Sequence, residues 1–290
     1  MTMQMAFIGY GEAGGIFAET LAKDHEVTVW DSKLEQSERE AMLEKARRSG
    51  VMAAPSLDEA VKQAAIIFST VTAGSALEVA RQCARYMQPG QIFLDLNSVS
   101  PETKRQAADA FLPGAYIDVA VMAPVLSARL QTPLLVGGPQ GFEVTRLLCG
   151  LGFSARFGSE AVGNVSAIKM CRSVMIKGLE ALVTECLFAA RTYGVEDDVL
   201  ASLHATFPSL GWDNQLADYL ISRVAEHGIR RSEEMVEVVK TLQDVGYEAL
   251  MSQSTAKTQR YLPQLMTEKA LVYRQLEPFS WRSLADKLVK

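Results

Sequence analysis

Three glycines near the start of the sequence have the spacing of a loop that binds phosphate. Gly9, Gly11 and Gly14 follow the apolar run 5–8, and a helical pattern occupies residues 15–23. In a strand–turn–helix unit the first glycine permits a tight turn, the second lets the backbone approach a pyrophosphate, and the third permits close packing of the helix. The first N–H groups of that helix then face the phosphates. These residues predict a dinucleotide site rather than a plain turn.

An acidic residue stands where such a unit contacts the adenosine ribose. The strand pattern 26–30 ends at Asp31, 22 residues after Gly9. A carboxylate there would accept hydrogen bonds from the ribose hydroxyls and repel a 2′-phosphate, which favours NAD as the cofactor. Lys33 could accommodate that phosphate, so NADP stays an alternative, and Asp31 could also be only a strand-end residue. The predicted cofactor-binding residues are Gly9, Tyr10, Gly11, Glu12, Ala13, Gly14, Asp31, Ser32, Lys33, Thr70, Val71, Thr72 and Asn97.

Strand and helix patterns alternate from residue 5 to about residue 155. Such alternation predicts an α/β fold, a Rossmann-type doubly wound parallel sheet whose ligand lies at the carboxyl ends of the strands. Strand patterns disappear after Gly163, and helical patterns fill the remainder. We therefore expect a dinucleotide-binding Rossmann domain over residues 1–160, followed by an all-α domain over 161–290 for substrate binding and dimerisation.

The helical half begins with one long helix. Residues 163–194 predict roughly 30 helical residues, and further helices are expected over 213–226, 232–244 and 247–266, with Gly228 ending the first of these. The long helix has an apolar stripe that we interpret as a packing face. Since this face is wider than one neighbouring helix needs, it indicates a homodimer with the active site near the interface. The stripe consists of Ile168, Cys171, Met175, Leu179, Leu182 and Cys186.

The overall composition excludes several classes of protein. Twenty-nine basic and 34 acidic residues give a net charge of −5, which argues against a surface that binds nucleic acid. No run of 18 apolar residues is present to span a membrane. The four cysteines have neither the spacing of a metal site nor the density of a disulfide scaffold, as expected for reduced thiols in a cytoplasmic protein. We expect no bound metal.

Four motifs follow one another along the chain: FIGYGEAGG (7–15), DLNSVSPET (95–103), DVAVMAPV (118–125) and GNVSAIKMCRS (163–173). Together they resemble the motifs of the β-hydroxyacid dehydrogenase superfamily, in a divergent branch of prokaryotic proteins similar to 6-phosphogluconate dehydrogenase. The first resembles the dinucleotide motif of that superfamily, and the second resembles the element that passes beside the nicotinamide. The third stands where the substrate-binding segment D-x-P-V-S-G-G belongs, and the fourth stands where G-x-x-x-K-x-x-N-N belongs. The resemblance implies an NAD(P)-dependent dehydrogenase or reductase acting on a small hydroxy or oxo acid.

The resemblance makes Lys169 the catalytic lysine. Hydride transfer from an alcohol needs a group that takes the proton from the oxygen, and the reverse reaction needs a donor. A free lysine has a pKa of about 10.4, so burial or positive neighbours such as Arg172 and Lys177 would be needed to favour its neutral form. Ser98 and Asn97 would place donors near the nicotinamide or the reacting oxygen. The alternatives are an exposed basic residue for Lys169 and a turn with a capping side chain for Ser98.

The chain departs from the superfamily at two motifs. Met122, Ala123 and Pro124 replace its Ser-Gly-Gly, which removes amide contacts to a substrate carboxylate because proline has no N–H. Arg172 and Ser173 replace its asparagine pair. Arg172 could hold a substrate carboxylate and Ser173 could replace an asparagine; the alternative for each is a role in helix packing or solvation. The predicted catalytic residues are Lys169, Ser98 and Ser173; the predicted substrate-binding residues are Ser98, Met122, Ala123, Pro124, Lys169, Arg172, Ser173, Lys177, His227 and Arg231.

A basic cluster in the helical half, His227 with Arg230 and Arg231, could reach a small anionic substrate across a dimer. Equally, it could pair with the acidic residues that follow it, among them Glu234. Two other functions stay open. One is imine reduction on the same architecture, against which Lys169 argues, and the other is a non-catalytic cofactor-binding protein. If the product is a 3-oxo acid, decarboxylation or rearrangement could follow oxidation.

Overall fold

A computed structural model describes residues 2–211 and 215–289 of the chain. The chain folds into two compact units, Met1–Met170 and Cys171–Lys290. The boundary between them falls inside the long helix α8 (Asn164–Tyr193). Among the described residues, no helix combines the length and the apolar character that a membrane-spanning segment needs.

The first unit is built on an eight-stranded sheet with the order β3-β2-β1-β4-β5-β6-β7-β8. The order reverses between β1 and β4, and a ligand of a doubly wound sheet binds at such a reversal, at the carboxyl ends of the strands. The strands are β1 (Gln4–Ile8), β2 (Glu26–Trp30), β3 (Met52–Ala53), β4 (Ile66–Ser69), β5 (Ile92–Asp95), β6 (Tyr116–Val121), β7 (Leu134–Gly137) and β8 (Ala155–Ser159).

The predicted Rossmann-type sheet is confirmed, with one difference. All neighbouring strands are parallel except β6 and β7, which are antiparallel. The connection 122–133 contains only one short helical turn, α6 (Val125–Ala128), and another short turn. It brings the backbone N–H of Met122 to 2.9 Å from Pro133 O, so the chain reverses at one end of the sheet. A parallel pair would need a connection that crosses the sheet, usually an α-helix.

Apolar strands buried on both faces explain why helices cover the sheet. The central strands β1 and β4 are buried along almost their whole length, as expected when a parallel sheet has helices on both sides. Phe7 and Phe68 stack on neighbouring strands, 4.5 Å between ring centroids, within one of the two main apolar clusters of this unit. The helices that precede α8 are α1 (Glu12–Leu21), α2 (Arg39–Arg48), α3 (Leu57–Gln63), α4 (Ala76–Tyr86), α5 (Pro101–Ala108), α6 and α7 (Gly141–Gly150).

The second unit is helical, which agrees with the predicted fold class. Besides the larger part of α8 it contains α9 (Glu196–Thr206), α10 (Leu216–Asp244), α11 (Leu250–Glu268) and α12 (Trp281–Val289). Its apolar core includes Leu187, Ile221 and Trp281. The expected helix over 213–226 has its first two residues outside the described part of the chain.

Gly228 does not end a helix, so that prediction is wrong. The 29-residue helix α10 continues through it. A Cβ atom added at Gly228 would lie 2.1 Å from Gln259 O of α11. The missing side chain therefore lets two helix backbones approach closely. A glycine that ends a helix and a glycine at a close helix contact look the same in the sequence.

The apolar stripe of α8 is not the face that this helix buries within the chain. Met175 is 73% exposed and Leu182 is 53% exposed, while Cys171 and Cys186 are exposed as well. The residues that α8 buries include polar ones, namely Ser173, Lys177, Glu180 and Thr184. Leu179 of the stripe packs against the apolar core of the second unit, whereas the exposed members are not packed within the chain and leave an apolar surface on the outside of the helix.

Candidate functional site

The glycine loop lies between the end of β1 and the start of α1, at the reversal point of the sheet. Gly9 has a φ of 95°, and a Cβ atom there would lie 2.5 Å from Thr70 O. A Cβ atom at Gly14 would lie 2.3 Å from Gly9 O, whereas one at Gly11 would meet nothing within 4 Å. Gly9 and Gly14 are thus required by the loop itself, and Gly11 borders open space that a phosphate group can occupy.

The start of α1 has the chemistry of an anion site. The helix begins at Glu12, and the N-cap residue Gly11 supplies no side-chain hydrogen bond to its first turn. Unpaired N–H groups and the positive end of the helix dipole attract phosphate. Thr70, a predicted cofactor residue at the end of β4, supports the loop, because its hydroxyl donates to Gly9 O at 2.7 Å. Taken together, these features form a site that suits the pyrophosphate of a dinucleotide.

Asp31 lies beside the loop, as predicted, and has partners within the protein. Its Oδ2 accepts a hydrogen bond from the Tyr10 backbone N–H at 2.7 Å, and its Oδ1 accepts one from the Lys33 backbone N–H at 3.1 Å. The carboxylate therefore holds the glycine loop against the end of β2. A carboxylate has about four lone-pair sites, so ribose hydroxyls can still donate to it.

Lys45 of α2 contacts the glycine loop, which the sequence did not reveal. Its Nζ donates to Tyr10 O at 2.7 Å and to Gly11 O at 3.1 Å, and it lies 4.1 Å from the centre of the Tyr10 ring. Burial lowers the pKa of Lys45, Asp31 opposes that shift, and Lys33 adds to it. In the sequence Lys45 belongs to a highly charged helix, and nothing there separates it from a surface lysine.

Asn97 follows the carboxyl end of β5 and is buried. Its backbone N–H donates to Asp95 Oδ1 at 2.9 Å, and its side-chain Nδ2 donates to Ser69 Oγ at 2.9 Å. Its Oδ1 has no hydrogen-bond partner among the described residues. A buried amide oxygen without a donor is unfavourable by about 1–3 kcal/mol, so this atom is suited to accept a hydrogen bond from a ligand.

The two residues predicted to act on the reacting oxygen are in direct contact. Lys169 Nζ donates to Ser98 Oγ at 2.5 Å, and both side chains are half-buried. Ser98 follows β5 and Lys169 lies in the second turn of α8, so the fold brings together residues that are 71 positions apart. All the groups named so far belong to the first unit.

The predicted substrate segment lies between β6 and α6. The backbone N–H of Met122 donates to Pro133 O at 2.9 Å, and Pro124 has no N–H and is the N-cap residue of α6. Of the three residues that replace Ser-Gly-Gly, Ala123 is therefore the one whose backbone N–H is not used in this turn. The structure therefore adds no anion-binding loop at this segment.

The remaining predicted residues lie in the helical unit, where two of the cations are buried in ion pairs. Lys177 Nζ lies 2.8 Å from Glu234 Oε2 and 3.1 Å from Ser173 Oγ. Arg231 Nε donates to Glu180 Oε2 at 2.9 Å. An anionic substrate would have to displace these carboxylates, so we assign Lys177 and Arg231 to the packing of α8 against α10.

The other members of the basic cluster are also accounted for. Arg230 Nη1 contacts Glu234 Oε1 at 3.0 Å, which is the ion pairing that the sequence left open. His227 Nε2 lies 3.1 Å from Glu226 Oε2. Burial, followed by the charges of Arg223, Arg230 and Arg231, lowers the pKa of His227 to about 4, so this histidine is neutral near pH 7. Arg172 is exposed.

The sheet and the glycine loop define a dinucleotide-binding protein of the Rossmann class. Residues 4–144 match the NAD binding domain of 6-phosphogluconate dehydrogenase, and residues 190–262 match DUF1932, a domain of unknown function. The chain belongs to the β-hydroxyacid dehydrogenase superfamily, which its motifs had predicted.

Solved structures support this placement. A conserved hypothetical protein from Sinorhizobium meliloti 1021 is 33% identical, with a TM-score of 0.76 over 99% of this chain and 96% of that one. The conserved protein MTH1747, which resembles 3-hydroxyacid dehydrogenases in structure, is 30% identical, with a TM-score of 0.70 over 90% of this chain and 96% of that one. The 3-hydroxyisobutyrate dehydrogenase of Mycobacterium tuberculosis is 16% identical over the full length of both chains, and its TM-score of 0.69 shows a shared fold.

Proposed function

We propose that this protein is an NAD(P)-dependent oxidoreductase that moves a hydride between the nicotinamide ring and the carbon of a small hydroxy or oxo acid, with Lys169 as general acid and base. The observation that supports it most is the 2.5 Å contact of Lys169 Nζ with Ser98 Oγ. It places a nitrogen base and a hydroxyl group together in the unit that contains the glycine loop.

The chemistry of this pair matches alcohol oxidation. When a dinucleotide is bound, its nicotinamide accepts the hydride, and the alcohol must lose a proton from its oxygen in the same reaction. The neutral amine of Lys169 takes that proton, and its ammonium form returns it in the reduction direction. In this proposal Ser98 accepts the hydrogen bond from the amine and donates its own hydroxyl proton to the substrate oxygen. Ser173, the third predicted catalytic residue, has Lys177 as its partner and has no catalytic role in this proposal.

The cofactor assignment rests on three features of the first unit. The open space at Gly11 and the uncapped start of α1 accommodate the pyrophosphate, and Asn97 Oδ1 supplies an unused acceptor at the end of β5. Asp31 favours NAD by repelling a 2′-phosphate. Lys33 and Lys45 weaken that preference, since both bring a positive charge close to Asp31 and could attract a 2′-phosphate. We therefore propose NAD as the preferred cofactor and NADP as a poorer one.

The exposed stripe of α8 supports a homodimer. A long helix that buries Lys177 and Glu180 while it exposes Met175 and Leu182 leaves an apolar surface uncovered by its own chain. Exposed apolar patches of this kind mark protein–protein contacts. A second copy of the chain, bringing the same stripe, is the partner that the superfamily resemblance suggests.

A panel of small hydroxy acids with NAD or NADP, and of oxo acids and imines with NADH or NADPH, tests the proposed activity through the absorbance of the reduced nicotinamide. We expect turnover of at least one hydroxy acid, with NAD preferred. Reduction of imines in place of oxo acids would replace the proposed reaction with the alternative. Tight cofactor binding without turnover of any alcohol or imine would favour a non-catalytic protein.

A further inference from the structure

A buried lysine outside the predicted site connects the neighbouring strands β5 and β6. Lys104 lies in α5 and is fully buried, with 0% of its side chain exposed. Its Nζ donates to Asp95 O at 2.6 Å and lies 2.9 Å from Asp95 Oδ1 and 3.3 Å from Asp118 Oδ1. A charge in a protein core is unfavourable unless it is paired, and here one ammonium group pairs with two carboxylates on neighbouring strands.

Asp95 transmits this contact to the segment that contains Ser98. Its Oδ1 accepts the backbone N–H of Asn97, the residue directly before Ser98, at 2.9 Å. Its Oδ2 accepts the hydroxyl of Tyr116 at 2.6 Å. Burial and the two nearby carboxylates raise the pKa of Tyr116, so its hydroxyl stays protonated and continues to donate. Asp95 thus fixes the backbone directly before Ser98, and Tyr116 fixes Asp95.

Asp118 transmits the contact to the helix that contains Lys169. Its Oδ2 accepts the backbone N–H of Gly163 at 3.0 Å, and its Oδ1 accepts the hydroxyl of Ser166 at 2.7 Å. Because α8 begins at Asn164, a carboxylate from β6 caps the first turn of this helix. Ser166 precedes Lys169 by three positions, or about one helical turn, so the cap fixes the place from which the lysine side chain extends.

We propose that the Asp95–Lys104–Asp118 network is a positioning device that sets the distance between Ser98 and Lys169. It holds the backbone on the Ser98 side and on the Lys169 side of their contact through one shared ammonium group. A buried ion network contributes little stability beyond what apolar side chains of similar volume would give. The network instead fixes the geometry of the reacting groups. This geometry matters because a misplacement of about 1 Å can reduce a rate about 100-fold. The positioning role rests on the function proposed above.

Three variants remove single parts of the network. Lys104→Gln removes the shared charge, Asp118→Asn keeps the shape of the cap but removes its charge, and Ser166→Ala removes one hydrogen bond to Asp118. Thr145→Val is the matched control, because it removes a hydroxyl that donates at 2.6 Å to Gly141 O inside α7 of the same unit. Asp118→Ala is compared with Asp118→Asn as the less conservative change.

Two measurements decide the proposal. For a substrate found in the panel, kcat should fall about tenfold or more in the network variants, with the KM of the substrate and the Kd of NADH changed by less than threefold. Asp118→Asn should keep more activity than Asp118→Ala. An unchanged kcat per folded molecule in all network variants would overturn the proposal, even if their melting temperatures fall.

The second measurement does not require turnover. Brief reaction with cyanate followed by mass spectrometry gives the carbamoylation rate of Lys169 relative to the other lysines. We expect a rate at least threefold above that of the parent protein in Ser166→Ala and Asp118→Asn, and no change in Thr145→Val. If Lys169 is labelled faster in these variants but the parent protein turns over no substrate, the proposed function is refuted and the positioning role stands. Equal labelling in every variant would refute the positioning role.

Discussion

The backbone N–H of Tyr10, inside the glycine loop, donates to Asp31 Oδ2 at 2.7 Å. Asp31 therefore has two tasks in our account: it holds the loop, and it discriminates against a 2′-phosphate. An alanine at this position removes both, whereas an asparagine keeps one oxygen that can accept the Tyr10 N–H and removes the charge together with the second acceptor, which binds the Lys33 N–H.

Asp31→Asn should lower the Kd of NADPH by about threefold to tenfold, because the repulsion of the 2′-phosphate is gone and the loop is retained. It should raise the Kd of NADH by a similar factor, because the charged acceptor for the ribose hydroxyls is lost. Asp31→Ala should weaken the binding of both. Fluorescence titration with NADH and NADPH measures these constants. NADPH binding that is tighter in Asp31→Ala than in Asp31→Asn would show that the loop contact has no importance for the cofactor.

Gly11→Ala should fold normally and lose cofactor affinity. Its Cβ atom would meet no protein atom within 4 Å, and although the φ of Gly11, −72°, is open to alanine, its ψ of −148° lies outside the main allowed regions, so we expect a small loss of stability. The methyl group would occupy the space that we assign to the pyrophosphate, so the Kd of NADH should rise at least tenfold with a melting temperature that changes little. Gly150→Ala, where an added Cβ atom also meets nothing within 4 Å, is the control that should leave both quantities unchanged. Unaltered NADH affinity in Gly11→Ala would place the pyrophosphate elsewhere.

Met175→Glu should dissociate the proposed homodimer, since it places a charge on the exposed stripe of α8. One chain has a mass of 31.7 kDa. Light scattering at micromolar concentration should give twice this mass for the parent protein and a mass close to that of one chain for the variant. Leu112→Glu, at a leucine that is 61% exposed in the first unit, should leave the mass unchanged. A parent protein of one-chain mass would exclude the dimer.

His227 should make the protein less stable in acid. Its pKa is lowered to about 4 in the folded state, from an ordinary value of 6.5, so the unfolded chain binds a proton more readily between these values. The free energy of unfolding should therefore decrease as the pH falls from 6.5 towards 4, by at most about 3 kcal/mol from this group. His227→Gln should reduce that slope in urea unfolding measured across this range. An identical slope in parent and variant would mean that His227 does not resist protonation.

Much of the first unit was predictable because short stretches of sequence determine its strands, its glycine loop and its site motifs. The glycine spacing, the strand that ends at Asp31 and the motifs around Ser98 and Lys169 each lie in one short stretch, and the sheet places them as the alternation of strands and helices requires. The antiparallel β7 was missed because its apolar sequence suits either strand direction. Only the short connection before it decides the direction.

Contacts between distant segments account for what the sequence did not show. Lys45, Lys104 and Arg231 look like ordinary members of charged helices, and their partners are 34, 9 and 51 residues away in the chain. The stripe of α8 has helical periodicity whether its partner is this chain or another one, so burial could not be deduced from the pattern. Gly228 likewise fits both a helix end and a close helix contact.

The central claim is that Lys169 exchanges the proton of the substrate oxygen. The most direct measurement is single-turnover hydride transfer in Lys169→Ala, with saturating cofactor and substrate, beside the control Lys62→Ala at an exposed lysine paired with Asp58 of the same unit. General acid–base catalysis contributes about 100-fold to 10,000-fold, so the rate should fall by that factor in Lys169→Ala while the Kd of NADH stays within threefold. A rate equal to that of the control would contradict the assignment of Lys169.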